Sequence, residues 1–367
     1  MPSIGLEDIR HYVKLFAFPI ILITIVTLTY LPAMHAPAPD EVPIALVGPA
    51  EMVNPLAESL QAGVGDQFSV SVLPDAAAAR SAVAQRDVTA ALVLSTTVDD
   101  RTVGDAYWNA PTLPAAQHDA AAAIYVASAG GPALVTGGLA PLQNLAAQLS
   151  TPVMVRDLVP LAASDQAGNG QMWFALAVTL GAYVGVTMLG TISPDLLNLR
   201  KLGVALPAFG LFLGVLSSVL LSFVFDSIGA NLPLLIVTAM LNVTAVGLGA
   251  AAISRVVGRL ATPVVMFVFV GLGLTSSGAA IPTQFVPDFY QFFSPLMPYG
   301  ATSRAVRSII YFDNANLWQD WLILAGWIVA MVAVNLLLNR WKPLPNHDIP
   351  TVISTVSAPS AASAGAI

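Results

Sequence analysis

The chain contains no cysteine, three lysines and four histidines in 367 residues. Without thiols there is no disulfide framework and no thiolate-held metal centre. The histidines (His11, His35, His118, His347) are scattered, and no HExxH, GxSxG or Cys/His cluster occurs. His118 beside Asp119 reads as a solvated helix face. No catalytic residue, metal site or cofactor is expected, so the chain is read as a non-enzyme. Lys14, Lys201 and Lys342 all lie outside glycine-rich loops, so a GxxxxGK[ST] phosphate loop is missing. Any nucleotide hydrolysis that powers this protein falls to a partner.

Charge is also scarce, at 10% of residues, against about a quarter in soluble domains. With 56% hydrophobic residues and a mean hydropathy of +0.76, the composition is that of a membrane protein. The apolar runs are continuous over about 20 residues rather than alternating, which favours helices over a barrel. Six runs qualify as spans: 16–33, 171–192, 204–225, 232–253, 261–281 and 318–338. The expected fold is therefore a polytopic α-helical membrane protein of six transmembrane helices. Its parts are residues 1–33 (interfacial helix and first span), 34–170 (a polar insert), 171–339 (a five-helix block) and 340–367 (a Pro/Ser/Ala-rich, disordered tail). The first span is longer than the apolar core of a cleaved leader and lacks a clear cleavage site, which favours an anchor.

Basic residues orient the chain. Arg10 and Lys14, Arg200 and Lys201, Arg255 and Arg259, and Arg340 and Lys342 all fall on one side if the spans alternate. The positive-inside bias then makes both termini cytoplasmic and places 34–170 outside the plasma membrane. That insert carries 13 acidic and four basic residues, a net charge of −9, which disfavours nucleic acid or an anionic lipid surface as its partner.

Within the insert, 42–49, 67–73 and 88–96 read as strands, with a fourth at 103–109. Helices are expected at Asn54–Ala62, opened by Asn54 and Pro55, and at Ala76–Arg86, capped by Asp75. The βαβ alternation implies a small α/β extracytoplasmic domain between helices 1 and 2. From Pro114 to about Gln148 the alanine-rich sequence reads as helical, with breaks near Gly130–Pro132 and Gly137–Gly138.

In the membrane block, Ser193 is a candidate N-cap, with Pro194 and Asp195 in the first turn and Gly203 at the end of a short amphipathic helix that exposes Arg200 and Lys201. Residues 3–14 resemble a second interfacial helix. Both fit a docking surface for a cytoplasmic partner, and both fit simple anchoring in the headgroups. Gly181-x-x-x-Gly185 and Gly210-x-x-x-Gly214 permit close helix contact. Asn242 is the one amide read as deep in a span, either a polar path residue or interhelical glue, with the second favoured. No ionisable residue is read within the spans, which argues against ion-coupled transport. Residues 276–317, interrupted by Pro282, Pro287, Pro295 and Pro298, suggest short helices in the outer leaflet, including one from about Gly300 to Tyr311 with Arg304 and Arg307 on one face.

Three stretches carry a family resemblance: Val42–Pro49 with Ala79–Leu94; Val155–Asp165 leading to Gly181-Ala-Tyr183; and Ser276–Pro282 with Pro287, Pro298 and Arg304. Together they resemble the YhgE/Pip (phage infection protein) branch of the ABC type 2 transporter permease superfamily, although the insert is shorter than that branch's long stalks. The resemblance implies a permease that pairs as a homo- or heterodimer and with a cytoplasmic ATP-binding subunit. It makes 193–203, with Ser193, Asp195, Arg200 and Lys201, the coupling helix and 3–14 the elbow helix. The expected function is export of an amphipathic or lipid-like solute. The alternative is a non-transporting cell-envelope protein whose outer domain docks a partner.

Overall fold

The structure, a computed structural model, describes residues 20, 23–24, 27–32, 38–94, 122–225 and 231–341. The helix expected at 3–14, the strand at 103–109, the His118–Asp119 pair and the tail beyond 341 lie outside the described residues.

The insert is a layered α/β domain around a five-stranded sheet of order β2-β1-β3-β4-β5. Strand β1 (Val42–Val47) is an interior strand and runs parallel to β2 (Phe68–Leu73) and β3 (Ala90–Val93), with Ile44 level with Val70 and Ala90. β4 (Ala122–Val126) pairs antiparallel to β3 and parallel to β5 (Val153–Asp157). Helices α1 (Ala50–Val64) and α3 (Pro132–Gln148) cover one face, where Ile44, Leu46, Leu92 and Ile124 meet Val53, Leu139 and Leu142. Helix α2 (Ala76–Gln85) covers the other, packing Ala79 and Val83 against Ala45, Val47 and Val93.

Local chemistry accounts for most boundaries. The Asp75 side chain accepts from Ala78 N at 2.7 Å, the expected N-cap bond. Helix α1 starts four residues before the expected Asn54 cap. The Pro49 carbonyl accepts from both Met52 N and Val53 N, and burial of Val53 and Ala57 on one face holds the added turn. Pro55 therefore lies inside the helix, not at its first position. The alanine-rich stretch after Pro114 is not uniformly helical, because Ala122–Val126 is a strand buried at every position. Alanine's helix propensity is worth a few tenths of a kcal/mol per residue, less than a central sheet position gains from pairing and burial. The Gly137–Gly138 break does not occur either. α3 runs through both, and a Cβ at Gly138 would stand 2.9 Å from Thr89 Cγ2, so the glycine permits close helix–sheet contact.

Among the described residues, four helices are long and apolar enough to cross a membrane: α4 (Gly170–Ile192), α5 (Leu199–Phe225), α6 (Leu232–Val257) and α10 (Leu317–Trp341). The described positions of the first expected span from 27 to 32 are helical, and the Thr29 carbonyl accepts from Tyr290 Oη at 2.7 Å. The 261–281 run differs from expectation. Its helix α7 (Ala261–Thr275) stops at Thr275, reaching about 22 Å at 1.5 Å per residue, short of a hydrocarbon core of about 30 Å. A π-helical stretch at Phe267–Leu272 widens it. Thr275, Ser276 and Ser277 then donate their hydroxyls back to the carbonyls of Gly271, Leu272 and Leu274, and Gly278 turns at φ 71°. Short helix α8 (Asp288–Phe293) follows, then α9 (Pro298–Tyr311), close to the expected 300–311.

Helix α9 packs among α4, α6 and α10, and the shared core includes Val178, Val243, Val246, Val306 and Ile309. Gly210 and Gly214 serve α5–α6 contact inside this chain: a Cβ at Gly210 would lie 2.7 Å from Met240 Cα.

Candidate functional site

Three polar places interrupt this apolar scaffold. The first is the bend between α4 and α5. A single helix over 193–203 does not form. Pro194–Leu197 is one 3-10 turn, Asn198 is extended, and Arg200, Lys201 and Gly203 belong to α5. Ser193 makes no side-chain cap; instead the Asn198 side chain accepts from Arg200 N at 3.0 Å and opens α5. Leu197 is buried near Gly190, which pins the turn. Lys201 Nζ lies 3.1 Å from Asp195 Oδ2 across the bend with both side chains exposed, so the pair contributes at most about 1 kcal/mol.

The second place is inside the bundle. Asn242 is fully buried. Its Nδ2 donates to Thr302 Oγ1 at 2.7 Å, and its Oδ1 accepts from Thr179 Oγ1 at 3.3 Å. One amide thus ties α6 to α9 and α4. The Thr302 hydroxyl in turn donates a hydrogen bond to the Pro298 carbonyl. The sequence singled out Asn242 but not its partners, since hydroxyls 60 and 63 residues away carry no local signal. Asn335 was missed. It is also fully buried, donates to the Leu248 and Met331 carbonyls, and ties α10 to α6.

The third place is the seam between the α/β domain and the helices. Arg86, just past α2, holds a left-handed φ of 68°. Its guanidinium lies over the Phe312 ring, 4.7 Å from the centroid, and donates to Ser308 Oγ at 2.7 Å. Arg307 Nη1 donates to the Gly130 carbonyl at 3.0 Å. Arg304 Nε pairs with Asp320 Oδ1 at 2.8 Å and Nη1 with the Ser294 carbonyl at 3.2 Å. Asp320, in the first turn of α10, is thus a buried carboxylate at a span's edge that no sequence reading had placed opposite Arg304. Across the seam, Asp40 N donates to the Gln284 carbonyl and Gln291 Nε2 to Asp40 Oδ2. Asp165 accepts from Asn169 N and Gly170 N, fixing the entry to α4.

Burial dominates the electrostatics of the seam. It lowers the Arg86 pKa, with Asp320 opposing, and holds Arg307 down to about 10, helped by the neighbouring charge of Arg86. It raises the Tyr311 phenol to about 12, with the nearby Asp165 adding to the rise.

Among the described residues, no group of three or more His, Cys, Asp or Glu is placed to hold a metal ion. No protein-family model, no curated protein and no solved structure matches the chain. Fold and composition therefore define the class: a helical membrane protein carrying a layered α/β domain.

Proposed function

We propose that the chain is the permease subunit of an ABC-type exporter in the plasma membrane, moving an amphipathic or lipid-like solute with ATP hydrolysed on a separate cytoplasmic subunit. In this reading six membrane segments are counted: the four long helices, the N-terminal run, and α7 with the turn that follows it. The α/β domain faces outward, and two permease chains assemble with the ATPase. The observation that carries the reading is the α4–α5 bend. It is a short, pinned, charge-bearing turn on the side of the bundle away from the α/β domain, a form suited to transmitting force from a docked partner. The basic ends of α5, α6 and α10 lie on that same side by alternation, as the positive-inside bias requires.

The test is purification of the tagged chain from its native membrane, with identification of bound proteins and assay of ATP-dependent efflux. An ATP-binding subunit is expected in the eluate, depleted by the Asp195→Ala/Lys201→Ala double variant. An eluate without an ATPase, combined with partner binding lost only when 42–165 is removed, supports the docking alternative and overturns the exporter reading.

A further inference from the structure

The seam contains a half-open cavity of about 230 Å³. Arg86, Arg304 and Arg307 line it together with Thr89, and Val83, Val88, Leu134 and Val135 form apolar wall. Three guanidinium groups from two separate parts of the fold thus converge on one space. Among the described residues, one of them is neutralised by an ion pair, Arg304 by Asp320.

Among the described residues, Arg86 and Arg307 hydrogen-bond only to neutral partners: Ser308 Oγ and the Ala315 carbonyl for Arg86, and the Gly130 carbonyl for Arg307. Arg307 bonds through Nη1 alone, leaving Nε and Nη2 for whatever enters the cavity. Asp165, whose charge acts on Arg307, already accepts from two backbone amides and from Tyr311 Oη. Asp320 and Asp165 offset part of the charge on Arg86 and Arg307 through space, but neither contact is an ion pair among the described residues, and desolvated cations are ordinarily paired directly. The backbone carries a further cost. Arg86 occupies a left-handed conformation that glycine adopts freely and other residues adopt under strain. The position keeps a long cationic side chain where a turn alone calls for glycine.

We propose that this cavity binds a phosphate-type oxyanion, gripped by the guanidinium forks of Arg86 and Arg307 at the seam between the α/β domain and the helices. Planar guanidinium groups match such oxyanions bidentately, and the apolar wall leaves room for an attached organic group. Free inorganic phosphate and the headgroup of an anionic phospholipid share this chemistry. The inference stands on the seam alone and holds whether or not an ATPase partner is found.

The full chain, reconstituted in phosphatidylcholine nanodiscs, is titrated with inorganic phosphate against sodium chloride of equal ionic strength. A parallel sample is reconstituted with phosphatidylglycerol, and unfolding is followed by tryptophan fluorescence. A ligand that binds only the folded state stabilises it by an amount that grows as the logarithm of one plus its concentration over Kd, and so raises the unfolding temperature. The expected result is a rise of several degrees with phosphate, with phosphatidylglycerol, or with both. Phosphate alone identifies a soluble anion and phosphatidylglycerol alone a lipid headgroup. The rise should vanish in Arg307→Gln and persist in Arg340→Gln, which removes an exposed arginine at the far end of α10. If Arg307→Gln does not fold, Arg86→Lys, which keeps the charge and loses the fork, should weaken binding several-fold. No rise above chloride in the wild-type chain, or a rise unchanged in these seam variants, overturns the proposal.

Discussion

Arg86 and Ser308 are 222 residues apart in the chain, and their side chains meet at 2.7 Å. This bond, with the Phe312 ring beneath the same guanidinium, fastens the α/β domain to α9, the helix packed among α4, α6 and α10. A hydrogen bond from a charged donor contributes about 1.5–3 kcal/mol, and the cation–π contact about 1 kcal/mol more. Replacing Arg86 by glycine relieves about 1 kcal/mol of left-handed strain. Arg86→Gly should therefore lose a net 1–3 kcal/mol, roughly. Limited proteolysis checks this, with cleavage between the domain and the bundle expected to accelerate.

Asn242 should behave as a structural tie. Asn242→Ala removes both the bond to Thr302 and the one from Thr179, and interhelical bonds of this kind are worth about 0.6–2 kcal/mol in all. The expected outcome is a lower unfolding midpoint in mild detergent with unchanged helicity by circular dichroism. A variant at least as stable as wild type argues instead for Asn242 as a residue of a polar path.

Two glycines on α5 should respond oppositely to the same methyl group. At Gly210 the added Cβ meets the Met240 backbone at 2.7 Å, whereas at Gly203 nothing stands within 4 Å. Gly210→Ala should cost about 1–3 kcal/mol through forced separation of α5 and α6. Gly203→Ala should gain up to about 1 kcal/mol of helix propensity. Thermal unfolding of the two variants in parallel decides this.

Asp157 provides a pH signature. Burial raises its pKa above the usual carboxylate value, opposed by Ser128 and the Val159 amide, and its Oδ2 has no hydrogen-bond partner. A raised folded-state pKa means that the protonated form favours the fold. This contribution is complete below the unfolded pKa, about 3.9, and is lost as pH rises through the folded value. The neutral Asp157→Asn variant should therefore gain unfolding temperature over wild type as pH increases from 4 to 7. A difference that is flat across that range would contradict the raised pKa.

Orientation can be measured directly because the chain has no native cysteine. Glu58 is exposed on α1 and Lys201 at the start of α5. Impermeant maleimide applied to intact cells should label Glu58→Cys and spare Lys201→Cys. The reverse pattern would invert the proposed topology.

By itself, the sequence determined what depends on local composition. Unbroken apolar runs dictate helices long enough to cross a bilayer, because an isolated strand there leaves its backbone unpaired. Alternation and capping determined β1, β2, β3 and the start of α2, since Asp75 needs only the amide three residues on. Tertiary structure decided the rest. Ala122–Val126 is a strand because its neighbours in the sheet outweigh alanine's helical preference. The α7 run stops short because three hydroxyls and a left-handed glycine end it before it completes a crossing. The seam cavity exists only because Arg86, Arg304 and Arg307 arrive from segments more than 200 residues apart, and no local pattern records where a side chain will find its counter-charge.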